Sequence, residues 1–193
     1  MWRELVTDFW RRFWWGLVGI IVIIGGIIWL TTYVGTVEVS GYRVSQADAE
    51  ATNYYAAGEI DQAQAAYETI TKNHPNDWFA WNGLGNIYRD KGQYGSAEIA
   101  YLKALKINPQ FEQGYRNIYN LYYAWSSQDA TQLSKAEPVL LDGIKYLPKS
   151  EIVLEEILNY YQKIGNQEQF TFYQDKLNKL RGAIDKPTGV NFE

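Results

Sequence analysis

A long apolar run stands near the start of the chain, ahead of a region whose hydrophobic residues recur with helical spacing. From Phe13 to Leu30 no residue is charged, and Thr31 to Val34 lengthen the run without adding a charge. About 20 residues rising about 1.5 Å each cross a hydrocarbon core about 30 Å thick. A soluble helix shows a polar stripe and a cleaved signal peptide has a shorter run. The pattern therefore predicts an uncleaved transmembrane signal anchor at 13–34.

The basic residues around this run predict its orientation. Arg3, Arg11 and Arg12 precede it, whereas only Arg43 follows within about fifteen residues. Positive residues that flank a span tend to remain in the cytoplasm. We therefore expect a single-pass protein of the cell membrane, inner or plasma, with a cytoplasmic N-terminal tail at 1–12. Everything after the span is expected on the extracytoplasmic side.

The residues that follow the span are short, β-prone and punctuated by glycine. Thr36 to Tyr42 read TVEVSGY, in which β-branched residues favour an extended backbone. This segment predicts an extended juxtamembrane linker at 35–43.

From Val44 onward the sequence repeats with a period near 34 residues, which is typical of a helix-turn-helix solenoid. The clearest copy begins at Trp78. Its repeating positions hold Trp81, Leu84, Gly85, Tyr88, Gly92, Ala97, Tyr101, Ala104 and Pro109. The copy before it keeps the same register without a gap, with Ala51, Tyr54, Gly58, Ala63, Tyr67 and Pro75.

Two further copies follow, and each departs from the pattern. The third has five extra residues, which fall within 126–134, between its predicted helices. A loop can absorb such a surplus. The fourth has Phe170 where a small residue is expected and lacks a closing proline. An atypical last copy is typical of a capping repeat.

The repeated positions resemble the signature of the tetratricopeptide repeat (TPR) family from about Val44 to Arg181. The resemblance implies an all-α fold, in which a single transmembrane helix precedes a TPR helix-turn-helix solenoid of about four repeats. Small residues such as Gly85 let paired helices cross closely, and prolines end helices that cannot continue. The expected repeats and the flexible tail after them are 44–77, 78–111, 112–150, 151–182 and 183–193.

The resemblance also implies a binding surface, because in TPR domains the first helices of successive repeats line a concave groove. Its lining positions are the second, fifth, sixth, ninth, twelfth and thirteenth of each repeat. The candidate partner-binding residues are Tyr55, Phe79, Asn82, Asn86, Arg89, Arg116, Asn117, Asn120, Tyr123 and Asn159. Asparagine both donates and accepts hydrogen bonds, which suits the backbone of an extended peptide, and arginine suits a carboxylate.

Alternatives to this groove hypothesis remain open. The asparagines are equally explained as solvated surface residues, and Arg89 as the partner of Asp90. The loop at 126–134 and the convex face are competing binding surfaces. A subset of TPR proteins grips chaperone C-termini with Lys and Asn at the fifth and ninth positions of one repeat. The first repeat has Asp48 and Thr52 there, so this clamp is not reproduced.

Composition narrows the function classes. The net charge of −4 provides no basic footprint for nucleic acid. The chain has no cysteine and one histidine, His74, so it lacks the residues for a thiol nucleophile, a cysteine metal site or a catalytic triad. We therefore expect no enzymatic activity, no metal and no cofactor.

The sequence as a whole predicts a membrane-anchored TPR scaffold or adaptor. Its expected partners are a protein or an extended peptide, and the lipid bilayer through residues 13–34. Its expected role is in the assembly of an envelope or membrane complex. The alternative is a structural subunit of a larger membrane assembly, with the repeats as a rigid spacer.

Overall fold

The computed structural model of the chain describes residues 36–39 and 41–184. The predicted cytoplasmic tail at 1–12, the predicted membrane span at 13–34 and residues 185–193 of the predicted tail lie outside these ranges. Among the residues described, no helix is both long and apolar enough to cross a membrane. The described residues belong to two compact units, which divide between Glu50 and Ala51.

A two-stranded antiparallel hairpin opens the described region. Its strands are β1 (Thr36–Val39) and β2 (Tyr42–Ser45), which pair over their whole length. Gly41, with φ of 81°, provides the left-handed backbone that a tight hairpin turn requires. Within the segment predicted as an extended linker at 35–43, the described residues of both strands are extended, as β-branched residues favour, but they pair in the hairpin instead of running free.

The first helix, α1 (Gln46–Ala56), starts directly after β2 and is capped by two side chains. The Ser45 backbone N–H donates to Asp48 Oδ2 at 3.2 Å, and the Asp48 backbone N–H donates to Ser45 Oγ at 3.2 Å. These reciprocal bonds are those of a capping box, which satisfies backbone donors that have no partner within the helix. The start of the helical region is therefore set by residues three apart in the sequence.

The described residues form eight α-helices, arranged along the chain as four consecutive pairs. The helices after α1 are α2 (Ile60–Asn73), α3 (Trp78–Asp90), α4 (Tyr94–Ile107), α5 (Glu112–Trp125), α6 (Ala136–Tyr146), α7 (Glu151–Ile164) and α8 (Gln167–Ile184). A 3₁₀-helix (Ala130–Lys135) stands between α5 and α6, where the sequence shows its five extra residues.

Local signals fix where these helices begin and end. The Asp77 side chain accepts from the backbone N–H groups of Phe79 and Ala80 at 3.1 and 3.2 Å, which caps α3. Gly92, with φ of 72°, turns the chain between α3 and α4. Pro109 follows α4, since proline cannot continue a helix.

The two helices of the second repeat cross at a glycine. A β-carbon placed on Gly85 would lie 2.5 Å from the ring of Tyr101, which is fully buried. A β-carbon placed on Gly83 would likewise lie 2.4 Å from the ring of Tyr67. Because such distances are shorter than any carbon contact in a packed interior, only glycine fits at these two positions.

The buried side chains of residues 51–184 form two clusters. One joins the first two repeats around Tyr67, Leu84 and Ile87, and the other joins the second to fourth repeats. Tyr88 packs against both clusters. Full burial of an aliphatic or aromatic side chain contributes about 1.5–3 kcal/mol, so each repeat depends on its neighbours for much of its stability.

We expect Gly85→Ala to lower the free energy of unfolding by about 1–3 kcal/mol, because its methyl group would overlap the Tyr101 ring. Gly95→Ala is the matched control, since a β-carbon there meets no atom within 4 Å. It should leave stability unchanged or raise it slightly. Urea unfolding followed by circular dichroism measures both, and equal effects would contradict this account of the crossing.

Candidate partner-binding groove

The first helices of neighbouring repeats are joined by a bond from the fifth position of one repeat to the sixth position of the next. Asn117 Nδ2 donates to Asn82 Oδ1 at 2.8 Å, which links α3 and α5. Arg116 Nε donates to Glu156 Oε1 at 2.6 Å, which links α5 and α7. Glu156 is only 5% exposed, so its carboxylate depends on this partner. The side chains of Asn82 and Arg116 thus hold the repeats together.

A second connection runs from the twelfth position of one repeat to the thirteenth of the next. In the first two repeats the Tyr55 hydroxyl donates to Asp90 Oδ2, and Arg89 donates to Asp90 Oδ1 through Nε at 3.0 Å and a terminal nitrogen at 2.9 Å. Burial, followed by the neighbouring Asp90 carboxylate, raises the pKa of Tyr55 to about 12. Arg89 therefore pairs with Asp90, the alternative left open by the sequence.

The third connection lies within a repeat, between the ninth position and the twenty-fourth. The Tyr101 hydroxyl donates to Asn86 Oδ1 at 2.7 Å, and Thr52 and Tyr67 share a hydrogen bond of 2.8 Å. In both repeats a buried tyrosine thereby places its hydroxyl against a polar groove residue, which satisfies a group that is costly to bury alone.

The third repeat lacks this connection. When its five extra residues are left out of the count, its twenty-fourth position is occupied by Leu140, which has no hydroxyl group. Asn120, at the ninth position, is exposed and makes no side-chain hydrogen bond within the described part of the chain. The eighth position, small in the earlier repeats, holds Tyr119, which is 6% exposed. The aromatic ring and its hydroxyl therefore lie on the first helix of the third repeat, whereas in the first two repeats they lie on the second helix.

An open pocket of about 450 Å³ lies between α5 and α7, where the bond from the ninth position to the twenty-fourth is missing. We call it the α5–α7 pocket. It is lined by Tyr119, Asn120, Tyr123, Asn159, Gln162 and Lys163. Helix α5 contributes the first three of these residues and α7 the last three, and successive residues along one helix face are three or four apart.

Lys163 contributes the positive charge of this pocket. Its Nζ lies 4.9 Å from the centroid of the Tyr123 ring and 3.4 Å from the Tyr123 hydroxyl. It forms no ion pair with any described residue, in contrast to Arg116, which faces Glu155 and Glu156. Burial, followed by Glu156 and Tyr123, raises the pKa of Tyr119 to about 12, so its hydroxyl stays neutral at physiological pH.

The amides of the pocket are the groups free to bind a ligand. Asn159 Nδ2 donates to Glu156 Oε2 at 3.2 Å, which leaves its Oδ1 available as an acceptor. Gln162 and Asn120 are both exposed, and neither side chain bonds to another described residue. Each primary amide offers two donors and an acceptor. The pocket can therefore bond both the N–H and the C=O groups of an extended backbone.

The structure divides the ten sequence-predicted groove residues into three groups. Asn120, Tyr123 and Asn159 meet in the α5–α7 pocket. Phe79 packs edge-on against Trp78, with ring centroids 5.6 Å apart. The remaining six are engaged in the connections described above: Tyr55, Asn82, Asn86, Arg89, Arg116 and Asn117.

The structure adds three lining residues to the prediction. Gln162 and Lys163 stand at the twelfth and thirteenth positions of the fourth repeat, so the positional rule itself pointed to them. Tyr119 is not among the predicted groove residues, and its signal was a large ring at a position that holds Gly85 in the second repeat.

Within residues 36–39 and 41–184, no group of three or more histidine and carboxylate side chains is placed to hold a metal ion. His74 is exposed at the end of α2. The α5–α7 pocket is lined by amides, phenols and one ammonium group, which are groups that can bind polar ligands through hydrogen bonds.

Comparison with known proteins supports the TPR fold of the repeats. Residues 49–110 match the family model of the tetratricopeptide repeat. Human Superkiller complex protein 3 is 33% identical to the chain over 57 residues, which make up 30% of this chain and 4% of that protein. The chain thus spans a small part of the length of this relative.

Solved structures show the same fold at low sequence identity. A thermophilic TPR protein of Thermus thermophilus has a TM-score of 0.55 and 20% identity, with 69% of this chain and 72% of that chain covered. PilF of Pseudomonas aeruginosa has a TM-score of 0.55 and 18% identity, with 69% and 59% covered. The first TPR domain of Spaghetti (RPAP3), bound to an HSP90 peptide, has a TM-score of 0.51 and 15% identity, with 62% and 93% covered. The predicted TPR solenoid is confirmed for the eight described helices.

We expect Asn86→Ala to destabilise the repeats by about 1–3 kcal/mol, because it leaves the buried Tyr101 hydroxyl without its acceptor. Asn120→Ala removes the same side chain from the equivalent position of the next repeat, where it has no such role, and should change stability by less than about 0.5 kcal/mol. Thermal unfolding of the two variants checks this, and a large effect of Asn120→Ala would refute the distinction.

Proposed function

We propose that the chain is a membrane-anchored scaffold that binds an extended peptide segment of a partner protein in the α5–α7 pocket. The observation that carries this proposal is the contrast within the groove. Its first half is occupied by bonds between the chain's own side chains, whereas Asn120 and Gln162 present unused amide groups and Asn159 presents its amide oxygen. A peptide backbone has the matching alternation of donors and acceptors.

The fold supports a partner of this class. TPR solenoids stack short repeats into extended binding surfaces, and the TPR domain of Spaghetti binds a peptide. The proposal assigns no catalytic step to this chain, whose single histidine lies at a helix end and which has no cysteine. Its contribution to a complex is to hold another protein near the membrane.

The anchor and its orientation rest on the sequence. The apolar run at 13–34 has the length of a membrane span, and three arginines precede it. We place the repeats on the extracytoplasmic side of the cell membrane, where the scaffold would act in the assembly of an envelope or membrane complex.

Photo-crosslinking followed by a binding measurement tests the groove. A photoreactive amino acid at position 120 or 162 should capture a protein partner in cells, whereas the same residue at Asn178, exposed on α8, should not. With the captured partner purified, Asn120→Ala combined with Gln162→Ala should weaken binding about 5- to 100-fold, since each lost hydrogen bond costs about 0.5–1.5 kcal/mol.

Two outcomes would count against this groove function. Unchanged affinity of the double variant would move the site to another surface. Stable, stoichiometric recovery of the chain with other membrane subunits in mild detergent, together with no capture from the pocket, would favour the structural subunit with the repeats as a spacer.

The absence of cysteine allows a direct test of topology. We expect Ser96→Cys, at an exposed position of α4, to react with a membrane-impermeant maleimide in intact spheroplasts. Thr7→Cys, in the predicted cytoplasmic tail, should react only after lysis. The wild-type chain controls for background labelling, and the reverse pattern would show that the repeats face the cytoplasm.

A further inference from the structure

A second pocket adjoins the α5–α7 pocket and is separated from it by Tyr123 and Lys163, which line both. We call it the insertion pocket. Its volume is about 380 Å³, and the rest of its lining is Ser126, Ser127, Ala130 and Leu133. All four of these residues lie in the segment 126–134, which holds the five residues in excess of the repeat period. The first, second and fourth repeats turn at a single glycine in this place and have no residues to build such a pocket.

The inserted segment is held in place by its own side chains. Asp129 accepts from the Thr131 backbone N–H at 3.0 Å and from Gln132 Nε2 at 2.6 Å. Leu133 is 8% exposed and belongs to the larger core cluster. These contacts keep the pocket open before any ligand arrives, which lowers the entropic cost of binding.

A lysine at the end of the segment attaches it to the preceding repeat. Lys135 Nζ lies 3.1 Å from Glu98 Oε1 and 4.9 Å from the centroid of the Trp125 ring. A cation between a carboxylate and an aromatic face gains from both. The insertion is therefore a built part of the groove.

Apart from Tyr123 and Lys163 at its boundary, the insertion pocket is lined by only two polar side chains, and both of these serine hydroxyls are already engaged. Ser126 Oγ donates to the Tyr123 carbonyl and Ser127 Oγ donates to the Ala124 carbonyl, each at 2.7 Å. The donors of both hydroxyls are therefore used, and the rest of the lining is largely carbon from Ala130 and Leu133. A pocket of this kind is suited to an aliphatic side chain and gives little to a charged one.

In contrast to the apolar insertion pocket, the boundary between the two pockets is polar and positively charged. Lys163 lies at this boundary with its ammonium group over the Tyr123 ring, and neither lining contains an aspartate or a glutamate. An ammonium group without a carboxylate partner attracts an anionic group of the ligand, and the Tyr123 hydroxyl beside it can donate a second hydrogen bond. The lining places this anion site directly between the amides and the apolar pocket.

We infer that the inserted segment makes the groove selective for a linear segment that carries a carboxylate and, one to three residues away, an aliphatic side chain. The carboxylate binds Lys163, the aliphatic side chain enters the insertion pocket, and the backbone on the other side bonds Asn120 and Gln162. This inference rests on the proposed peptide-binding function and specifies which peptides are bound.

Fluorescent octapeptide pools test the inference on the full-length chain in detergent micelles. Each pool fixes two residues at two positions, and every pool is made with a free and with an amidated C-terminus. The pools bound most tightly should fix Asp or Glu, with Leu, Ile or Val within three positions. Equal binding of the amidated pools assigns the carboxylate to a side chain, whereas binding of the free acids alone assigns it to the peptide terminus.

Variants then assign each preference to its residue. For the best acidic peptide, Lys163→Met should weaken binding about tenfold, while Lys179→Met, an exposed lysine on α8, should not. Lys163→Glu should shift the preference to basic peptides. Ala130→Trp fills the insertion pocket and should weaken the aliphatic peptide but not its alanine-substituted analogue, whereas Ala57→Trp, in an exposed turn, should affect neither.

The possible outcomes distinguish a failure of the inferred selectivity from a failure of the proposed peptide-binding function. Peptides that lose affinity with Asn120→Arg but are indifferent to Lys163→Met and Ala130→Trp would retain the groove function and overturn the selectivity. Absence of binding by every pool would overturn the peptide-binding function and the selectivity with it.

Discussion

The close crossing of paired helices, with the ring of Tyr101 against the bare backbone of Gly85, is the constraint on which the rest of this structure depends. A ring this close excludes any side chain at the glycine. It also brings a phenolic hydroxyl to the groove, where that hydroxyl needs an acceptor because the ring is fully buried. Asn86 supplies the acceptor. A packing requirement thus decides the chemistry of a surface residue, and the Thr52–Tyr67 pair repeats the solution one period earlier.

The third repeat solves the same packing problem with the residues exchanged. Tyr119 places the ring on the first helix and Leu140 occupies the position of the tyrosine on the second. No hydroxyl then reaches Asn120, and the helices are joined through an inserted 3₁₀-helix instead of a glycine turn. These departures coincide with the two pockets. The site lies where the repeat pattern is broken, as expected if regular repeats provide stability and irregular ones provide recognition.

Periodicity predicted the helices well because it reports burial, and burial decides helix pairing. The hairpin formed by β1 and β2 was missed since two four-residue strands produce too short a pattern to distinguish pairing from extension. The 3₁₀-helix was read as a loop because its geometry depends on side-chain bonds from Asp129, which carry no hydrophobic signal. Position within a repeat located the groove, but it did not reveal which of its polar residues were already paired.

Three asparagines on the groove illustrate that limit. Asn82 bonds the next repeat, Asn86 bonds a tyrosine of its own repeat, and Asn120 bonds no described side chain. One residue type therefore serves assembly, packing and, in the proposed site, recognition, and only the partner at another position decides which. That partner lies 15 or 35 residues away in the two bonded cases, beyond any local pattern.

The pair formed by the half-buried Arg116 and the buried Glu156 joins the stable part of the groove to its open part. A largely buried carboxylate is weak evidence for stability, because desolvation offsets much of the attraction to its partner. The effect of this ion pair on the geometry of the groove is clearer than its effect on stability. The 2.6 Å bond fixes the register of α5 against α7, and the second Glu156 oxygen orients Asn159. Both helices line the α5–α7 pocket, so this pair holds the two walls at the spacing that a ligand meets. An arginine predicted to bind the partner directly therefore shapes the proposed site through the chain's own acid, and the positive charge of that proposed site is on Lys163.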